Sequence, residues 1–270
     1  MASSILSRIS NDLLLHQYHG AGNNFLIYDA RKYNFPFVLI ERLCEYYEVD
    51  GILLLCDSQI ADYQMRIFNP DATEAEMCGN GLRCFIRYLE EHCKRQSHYR
   101  IETLSGILEA WHEGNEIGVH MPSPTILDWK FPIDFEGKSY EATYLKVGVP
   151  HLVFFLEQID EIPLDAWGSA MQPLCEEGAN VNFVQVHPDQ SISIRTFERG
   201  VNRETMSCGT GSTASAIACA HRFGFPSPIR VHNTSNQSLT IRIEGEKVQM
   251  IGPAVKELSI KCPGQYNGLL

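Results

Sequence analysis

The chain has 270 residues, of which 44% are hydrophobic, 20% charged and 10% aromatic, the profile of a packed globular protein with one large domain or two ordinary ones. Its formal net charge is −11, with 22 Lys and Arg against 33 Asp and Glu. It therefore lacks the basic surplus that displaces counterions from a phosphate backbone, which excludes nucleic acid as a partner.

The longest apolar runs, such as Ile52 to Cys56, are too short to cross a bilayer, which excludes a membrane partner through spanning helices. The first ten residues are broken by Ser and Arg and lack the apolar stretch of a secretion signal. Nine cysteines, an odd number, are scattered along the chain, a usage that fits reduced thiols in the cytoplasm rather than a disulfide framework.

In chain order, residues 13–18, 24–29, 52–56 and 63–68 are rich in β-branched, aromatic or Leu side chains and are bounded by turn formers, which predicts strands. Apolar spacing predicts helices over residues 38–47 and 82–92, the second continuing from a Cys-Gly-Asn-Gly turn. A third helix is predicted over 212–223, after Cys-Gly-Thr-Gly. Strand pairs are predicted over 99–111 and 229–243, with single strands over 117–121 and 247–251.

These elements repeat. Met65-Arg66-Ile67-Phe68-Asn69 precedes Cys78-Gly79-Asn80-Gly81, and Ile194-Arg195-Thr196-Phe197-Glu198 precedes Cys208-Gly209-Thr210-Gly211. The cysteines stand 130 positions apart and the phenylalanines 129. Earlier in each half, Gly22-Asn23-Asn24-Phe25 matches Gly148-Val149-Pro150-His151. The expected fold is α+β, with two pseudo-symmetric lobes, each a mostly antiparallel sheet curled around a central helix, and an active site in the cleft between them. The boundary is placed near the Pro-rich stretch 121–132. That gives an N-terminal lobe of residues 1–122, to which 254–270 return as an added strand, and a C-terminal lobe of 123–253.

Each Cys-Gly-x-Gly sets a thiol beside the unpaired N–H groups of a helix N-terminus, where the dipole favours negative charge. An ordinary thiol pKa of about 8.5 can fall to roughly 3.5–7.5 in such settings, so a depressed pKa is expected at these turns, without the sequence saying which thiol is charged at rest. Two opposed thiols, one charged and one neutral, take a proton from one face of a carbon and return one to the other. That operation inverts a stereocentre. Cys44, Cys56, Cys84, Cys93, Cys175, Cys219 and Cys262 read as structural. A zinc site from Cys78, Cys84, Cys93 and His98 lacks paired ligand spacing, so no metal is expected. The Gly209-x-Gly211-x-x-Ala214 string lacks the acidic residue of a dinucleotide fold.

With these motifs the sequence resembles the diaminopimelate epimerase family, cofactor-independent isomerases that interconvert LL- and meso-diaminopimelate for lysine and peptidoglycan synthesis. The resemblance runs from His19-Gly20-Ala21-Gly22-Asn23-Asn24-Phe25 to the last strand. It is most specific at Phe68-Asn69-Pro70-Asp71, Met77-Cys78-Gly79-Asn80-Gly81-Leu82-Arg83-Cys84, Glu198-Arg199-Gly200 and Cys208-Gly209-Thr210-Gly211. It implies that Cys78 and Cys208 are the acid–base pair, Cys208 taking the proton from the LL isomer. It also implies that Asn23, Asn69, Asn180, Glu198 and Arg199 bind substrate, that Gly79, Asn80, Gly209 and Thr210 cradle its carboxylate, and that His151 and Glu198 tune the thiols.

No cofactor is implied. The partners are a small amino-acid substrate and, as candidate assembly, a homodimer. Three departures stand out: Val149 and Gly51 where many relatives carry polar side chains, and a loop after Glu198 one residue longer than usual. They suggest a looser hold on the far end of the substrate. Rival readings are a two-cysteine racemase of the proline racemase kind and a non-catalytic thiol redox sensor.

Overall fold

The computed structural model describes residues 13–262. The reading of the first ten residues as lacking a secretion signal, and of 263–270 as part of the returning segment, lies outside them. The strand set opens with β1 (Leu13–Gly20), β2 (Asn23–Asp29), β3 (Gly51–Cys56), β4 (Tyr63–Phe68) and β5 (Glu74–Ala75). It continues with β6 (His98–Thr103), β7 (Gly106–Glu113) and β8 (Glu116–His120). Helix α1 (Ile40–Tyr47), entered through one 3-10 turn at Phe37–Leu39, lies between β2 and β3, and α2 (Gly79–His92) lies between β5 and β6.

The second series runs β9 (Thr125–Phe135), β10 (Lys138–Val147), β11 (Val149–Phe155), α3 (Leu164–Met171), β12 (Asn180–Val186), β13 (Ile192–Glu198) and β14 (Arg203–Thr205). It ends with α4 (Gly209–Phe223), β15 (Ile229–His232), β16 (Ser238–Glu244), β17 (Lys247–Gly252) and β18 (Val255–Cys262).

The sequence echo is a structural duplication. β1–β2, β3–β4 and β4–β5 pair antiparallel while β2–β3 and β4–β6 pair parallel. In the same order, β10–β11, β12–β13 and β13–β14 are antiparallel while β11–β12 and β13–β15 are parallel. β18 edges β1 as β9 edges β10. The fold is α+β with largely antiparallel sheets. Residues 13–109 with 254–262 form one compact unit and 110–253 the other. The division falls within β7 rather than at the Pro-rich stretch, because β8 pairs with β17 and so belongs to the second unit.

From Thr125 onward the Pro-rich stretch is itself the start of β9. Its side chains are mostly exposed, and it pairs with β10, with Pro132 opposite Glu141. A strand bonded along one side tolerates a residue with no N–H, so Pro132 does not interrupt it.

The central strands are apolar on both faces because each sheet is covered twice. In the first unit, alternate residues Leu26, Ile52 and Leu54 join Leu39, Ile40 and Leu43 in a cluster around α1. On the other face α2 packs on β1, β2, β4 and β18. In the second unit Leu152, Phe154, Val181, Phe183 and Phe197 cluster with Leu164 and Met171 of α3, while α4 packs on β10–β13 and β15–β17. The buried face of α4 is built from small side chains such as Ala214, Ser215, Ala216 and Ala218, which admit close approach of the surrounding strands. α4 stops at Gly224, whose φ of 68° is the left-handed conformation that glycine adopts without strain. No helix among the described residues is long and apolar enough to cross a membrane.

At Gly168 in α3 a Cβ would stand 2.2 Å from Cγ of the buried Phe197. Gly168→Ala is expected to lower unfolding stability by about 1–3 kcal/mol through overpacking, as measured by denaturant titration.

Candidate active site

Both predicted helices behind the Cys-Gly-x-Gly turns begin three residues earlier than the apolar spacing suggests, at Gly79 and Gly209. The two glycines and the residue between them are the first helical turn, and the cysteine is the N-cap. Cys78 and Cys208 hold extended backbone conformations, with φ, ψ of −145°, 110° and −118°, 110°. The sulfur of each accepts the N–H of the third helical residue: Gly81 N to Cys78 Sγ and Gly211 N to Cys208 Sγ, both 3.3 Å. The first backbone helix bonds, Leu82 N to Cys78 O and Ser212 N to Cys208 O, are each 2.8 Å. Each sulfur thus takes the place that a Ser or Asp oxygen usually holds at a helix start.

The loops leading into the two helices are fixed by a repeated ion pair. Arg66 Nε and Nη2 donate to the two oxygens of Glu74 at 2.8 and 2.9 Å. Arg195 does the same to Glu204 at 2.8 and 2.6 Å. Two parallel bonds set the pitch of each hairpin as well as its closure. Phe68 pairs with Glu74, and Phe197 with Glu204. The second hairpin therefore carries one residue more, which turns the 129-residue offset into 130.

In the first unit, Asn80 is buried at 2% exposure and its Nδ2 donates to Asn23 Oδ1. Asn23 Nδ2 in turn donates to Asp50 Oδ2 at 3.2 Å, and that oxygen also accepts the Asn24 N–H at 2.8 Å. Asp50 thus orients Asn23 and, through it, Asn80, and is a residue the sequence reading missed. Its position next to Gly51 was the available signal. Gly51 is glycine for a steric reason: a Cβ there would lie 2.6 Å from the Phe68 carbonyl oxygen. Asn69 is exposed, and its side chain donates to Thr73 Oγ1 at 3.0 Å within the β4–β5 turn.

In the second unit, Cys208 is buried and its thiol bonds Glu198, with Thr210 Oγ1 at 3.5 Å. Burial raises the Cys208 pKa well above the ordinary thiol value, and the Glu198 charge and hydrogen bond raise it further. The contacts from Thr210 and the Gly211 N–H act the other way and are outweighed. For Cys208 this corrects the expectation of a depressed pKa. The helix N-terminus contributes as expected, but it works against desolvation and a neighbouring carboxylate. Cys208 rests as a thiol.

Asn180 Oδ1 accepts the Arg199 backbone N–H at 2.7 Å, and Arg199 Nη1 donates to the Glu177 carbonyl at 2.7 Å. Two of the expected substrate ligands thus hold each other in place, with the Arg199 side chain exposed. His151 is fully buried. Burial, aided by the Arg199 charge, lowers its pKa to about 3, so the ring is neutral. Its neighbour is Asn182, also fully buried, which the sequence reading did not single out.

The other cysteines have no shared chemistry. Cys44, Cys84, Cys175 and Cys219 are buried, and burial raises the pKa of each. Cys56 and Cys93 are half-buried, and no disulfide occurs among the described residues. The side chain of Cys262 lies outside the described residues. Among them no group of three or more His, Cys, Asp and Glu side chains is placed to hold a metal ion.

The chain matches the family model described as diaminopimelate epimerase over residues 16–127 and 143–257. It is 36% identical over 268 residues to the diaminopimelate epimerase of Methanothrix thermoacetophila, covering 91% of this chain and 94% of the relative. It is 34% identical over 249 residues to that of Chlamydia muridarum, covering 88% and 90%. The chain belongs to the diaminopimelate epimerase family.

Solved structures with similar folds extend beyond diaminopimelate epimerases. A PhzF-family phenazine biosynthesis protein from Bacillus anthracis superposes with a TM-score of 0.74 at 17% identity, over 93% of this chain and 98% of its own. A hydroxyproline epimerase from Agrobacterium vitis superposes with a TM-score of 0.70 at 16% identity, over 93% and 92%. At such identities the likeness is one of fold. The diaminopimelate epimerase family match spans both Cys-Gly-x-Gly helices, including the N-caps described above.

Two outcomes follow from the packing beneath these caps. A Cβ on Gly211 would stand 2.3 Å from Asn182 Oδ1, whereas on Gly81 the nearest atom is Leu53 Cδ2 at 3.3 Å. Gly211→Ala is expected to lower the melting temperature more than Gly81→Ala, measured by differential scanning calorimetry. The second outcome concerns acid. The His151 pKa lies below its ordinary 6.5, so the unfolded chain binds the proton more tightly. The stability linked to it is full above about pH 6.5 and is lost as the pH falls toward about 3. His151→Phe is expected to flatten the fall of melting temperature over that range. His16, lowered to about 4 mainly by burial, keeps part of the slope.

Proposed function

We propose that this protein is a diaminopimelate epimerase that inverts one α-carbon of LL-diaminopimelate to the meso form with two cysteines and no pyridoxal phosphate. The observation that carries the reading is the duplicated cap: two helix N-termini, each holding a cysteine sulfur against the third N–H of its first turn. Helix geometry leaves the other N–H groups of those turns without intrahelical acceptors. Gly79-Asn80 and Gly209-Thr210 thus carry donors suited to a carboxylate that gains charge as the α-proton leaves. Losing one such donor typically raises the barrier by about 2.7–4 kcal/mol.

In the LL direction, the Cys208 thiolate takes the α-proton, the electron pair moves into the α-carboxylate, and the Cys78 thiol gives its proton to the opposite face. Because Cys208 rests as a thiol bonded to Glu198, that carboxylate first accepts the thiol proton. In the meso direction Cys208 already holds the proton it must give. Arg199, whose backbone is set by Asn180, offers a guanidinium for a second carboxylate, and Asn23 and Asn69 offer amides for the remaining polar groups. Val149 and Gly51 contribute no side-chain donor there. The product serves lysine and peptidoglycan synthesis, and the cytoplasm is the compartment that keeps both thiols reduced.

The test is transfer of solvent deuterium to the α-carbon. Wild-type protein in D2O is expected to label diaminopimelate as it inverts it. Cys78→Ala and Cys208→Ala are each expected to abolish inversion while retaining the wild-type circular dichroism spectrum. Absence of exchange in the reduced wild-type protein overturns the reading. Parallel assays with glutamate, aspartate and proline measure how strictly the distal end is held.

A further inference from the structure

Register equivalence between the two halves exposes a difference in what lies under the central helices. Phe25 pairs with Gly51 as His151 pairs with Asn180, and Leu53 pairs with Ile67 as Asn182 pairs with Thr196. The first half places Phe25, Leu53 and Ile67 at three positions where the second places His151, Asn182 and Thr196, and all six are buried. The apolar set shows that the architecture itself does not require polar groups there.

The hydrogen bonds of the polar set favour one arrangement of protons. Asn182 Nδ2 faces the carbonyl oxygens of Leu152 at 3.1 Å and Asn180 at 3.4 Å, which only accept. Its Oδ1 accepts from Thr196 Oγ1 at 3.0 Å. The amide is thereby oriented, and the same Nδ2 faces His151 Nδ1 at 3.2 Å. Nδ1 must present a lone pair, so the proton of the neutral ring sits on Nε2. That Nε2 is buried and has no hydrogen-bond partner among the described residues. On its other side Asn182 Oδ1 packs against Gly211, whose N–H caps onto Cys208. One amide thus touches both the histidine and the turn that holds the thiol.

We propose that Asn182, braced by Thr196, is a positioning residue that holds His151 as the neutral Nε2–H tautomer, so that the ring offers a buried hydrogen-bond donor to an anionic acceptor of the reaction. The acceptor rests on the epimerase reading and is a carboxylate of the amino-acid substrate; the tautomer does not depend on that reading.

The experiment is nitrogen-15 NMR of histidine-labelled, ligand-free protein, with the His151 signals assigned by their loss in His151→Gln. The expected spectrum shows a pyridine-type Nδ1 and a pyrrole-type Nε2. Asn182→Asp supplies a group that only accepts, so it is expected to move the proton to Nδ1 and lower kcat about 10–100-fold, with less effect on KM. Asn182→Leu, the residue of the equivalent position in the first half, and Thr196→Val keep the test open if the aspartate variant fails to fold. Both are expected to give mixed tautomers and a smaller loss of kcat. A wild-type ring protonated on Nδ1 overturns the proposal. So does an aspartate variant with a flipped ring and unchanged kcat. A wild-type protein with the Nε2–H tautomer that exchanges no α-proton of diaminopimelate contradicts the epimerase reading and leaves the tautomer assignment standing.

Discussion

The contact between a cysteine sulfur and the N–H of the third residue of a helix is the constraint on which the site depends, and the chain makes it twice. It sets the thiol at the positive end of a helix dipole. At the third position of the second helix a Cβ on Gly211 would also stand 2.3 Å from Asn182 Oδ1, whereas on Gly81 of the first the nearest atom is 3.3 Å away. The strands below and the ion-paired hairpins before hold these two turns, and small-residue packing follows the second.

Duplication explains the framework and divergence explains the chemistry. The two series repeat strand order, parallel and antiparallel pairings, flanking helix and bidentate Arg–Glu pair, so the architecture needs only one solution used twice. Beneath the helices the halves part company. Apolar Phe25, Leu53 and Ile67 give the first cap an oily floor, while His151, Asn182 and Thr196 give the second a hydrogen-bonded one. Burying polar groups without partners is unfavourable, so such a set persists only where its members satisfy one another or meet a ligand. The Cys208 environment is correspondingly different, since burial first and the Glu198 charge and hydrogen bond second raise its pKa.

Particular residues show how far one-dimensional reading reaches. Strands such as β3 and β4, and the twin helices with their cysteine caps, were legible because apolar runs, turn formers and a repeated motif are local signals. The 121–132 stretch was not, because proline density suggests a linker unless the pairing partner is known, and here β10 supplies it. Nor did sequence spacing reveal α3, whose place is set by the apolar sheet face it covers. Asp50 and Asn182 act through side chains distant in sequence, and no local pattern marks them.

The amino-acid sequence by itself determined the duplicated order of elements, the α+β class and the pair of cysteines at helix starts, because periodicity, glycine placement and composition are properties of neighbouring residues. Only the tertiary structure decided the burial of Cys208 beside Glu198, the contact between His151 and Asn182 and the reason that Gly51 and Gly211 carry no side chain. Those depend on burial, on the direction of hydrogen bonds and on distances of a few ångströms between residues that the chain brings together only when it folds.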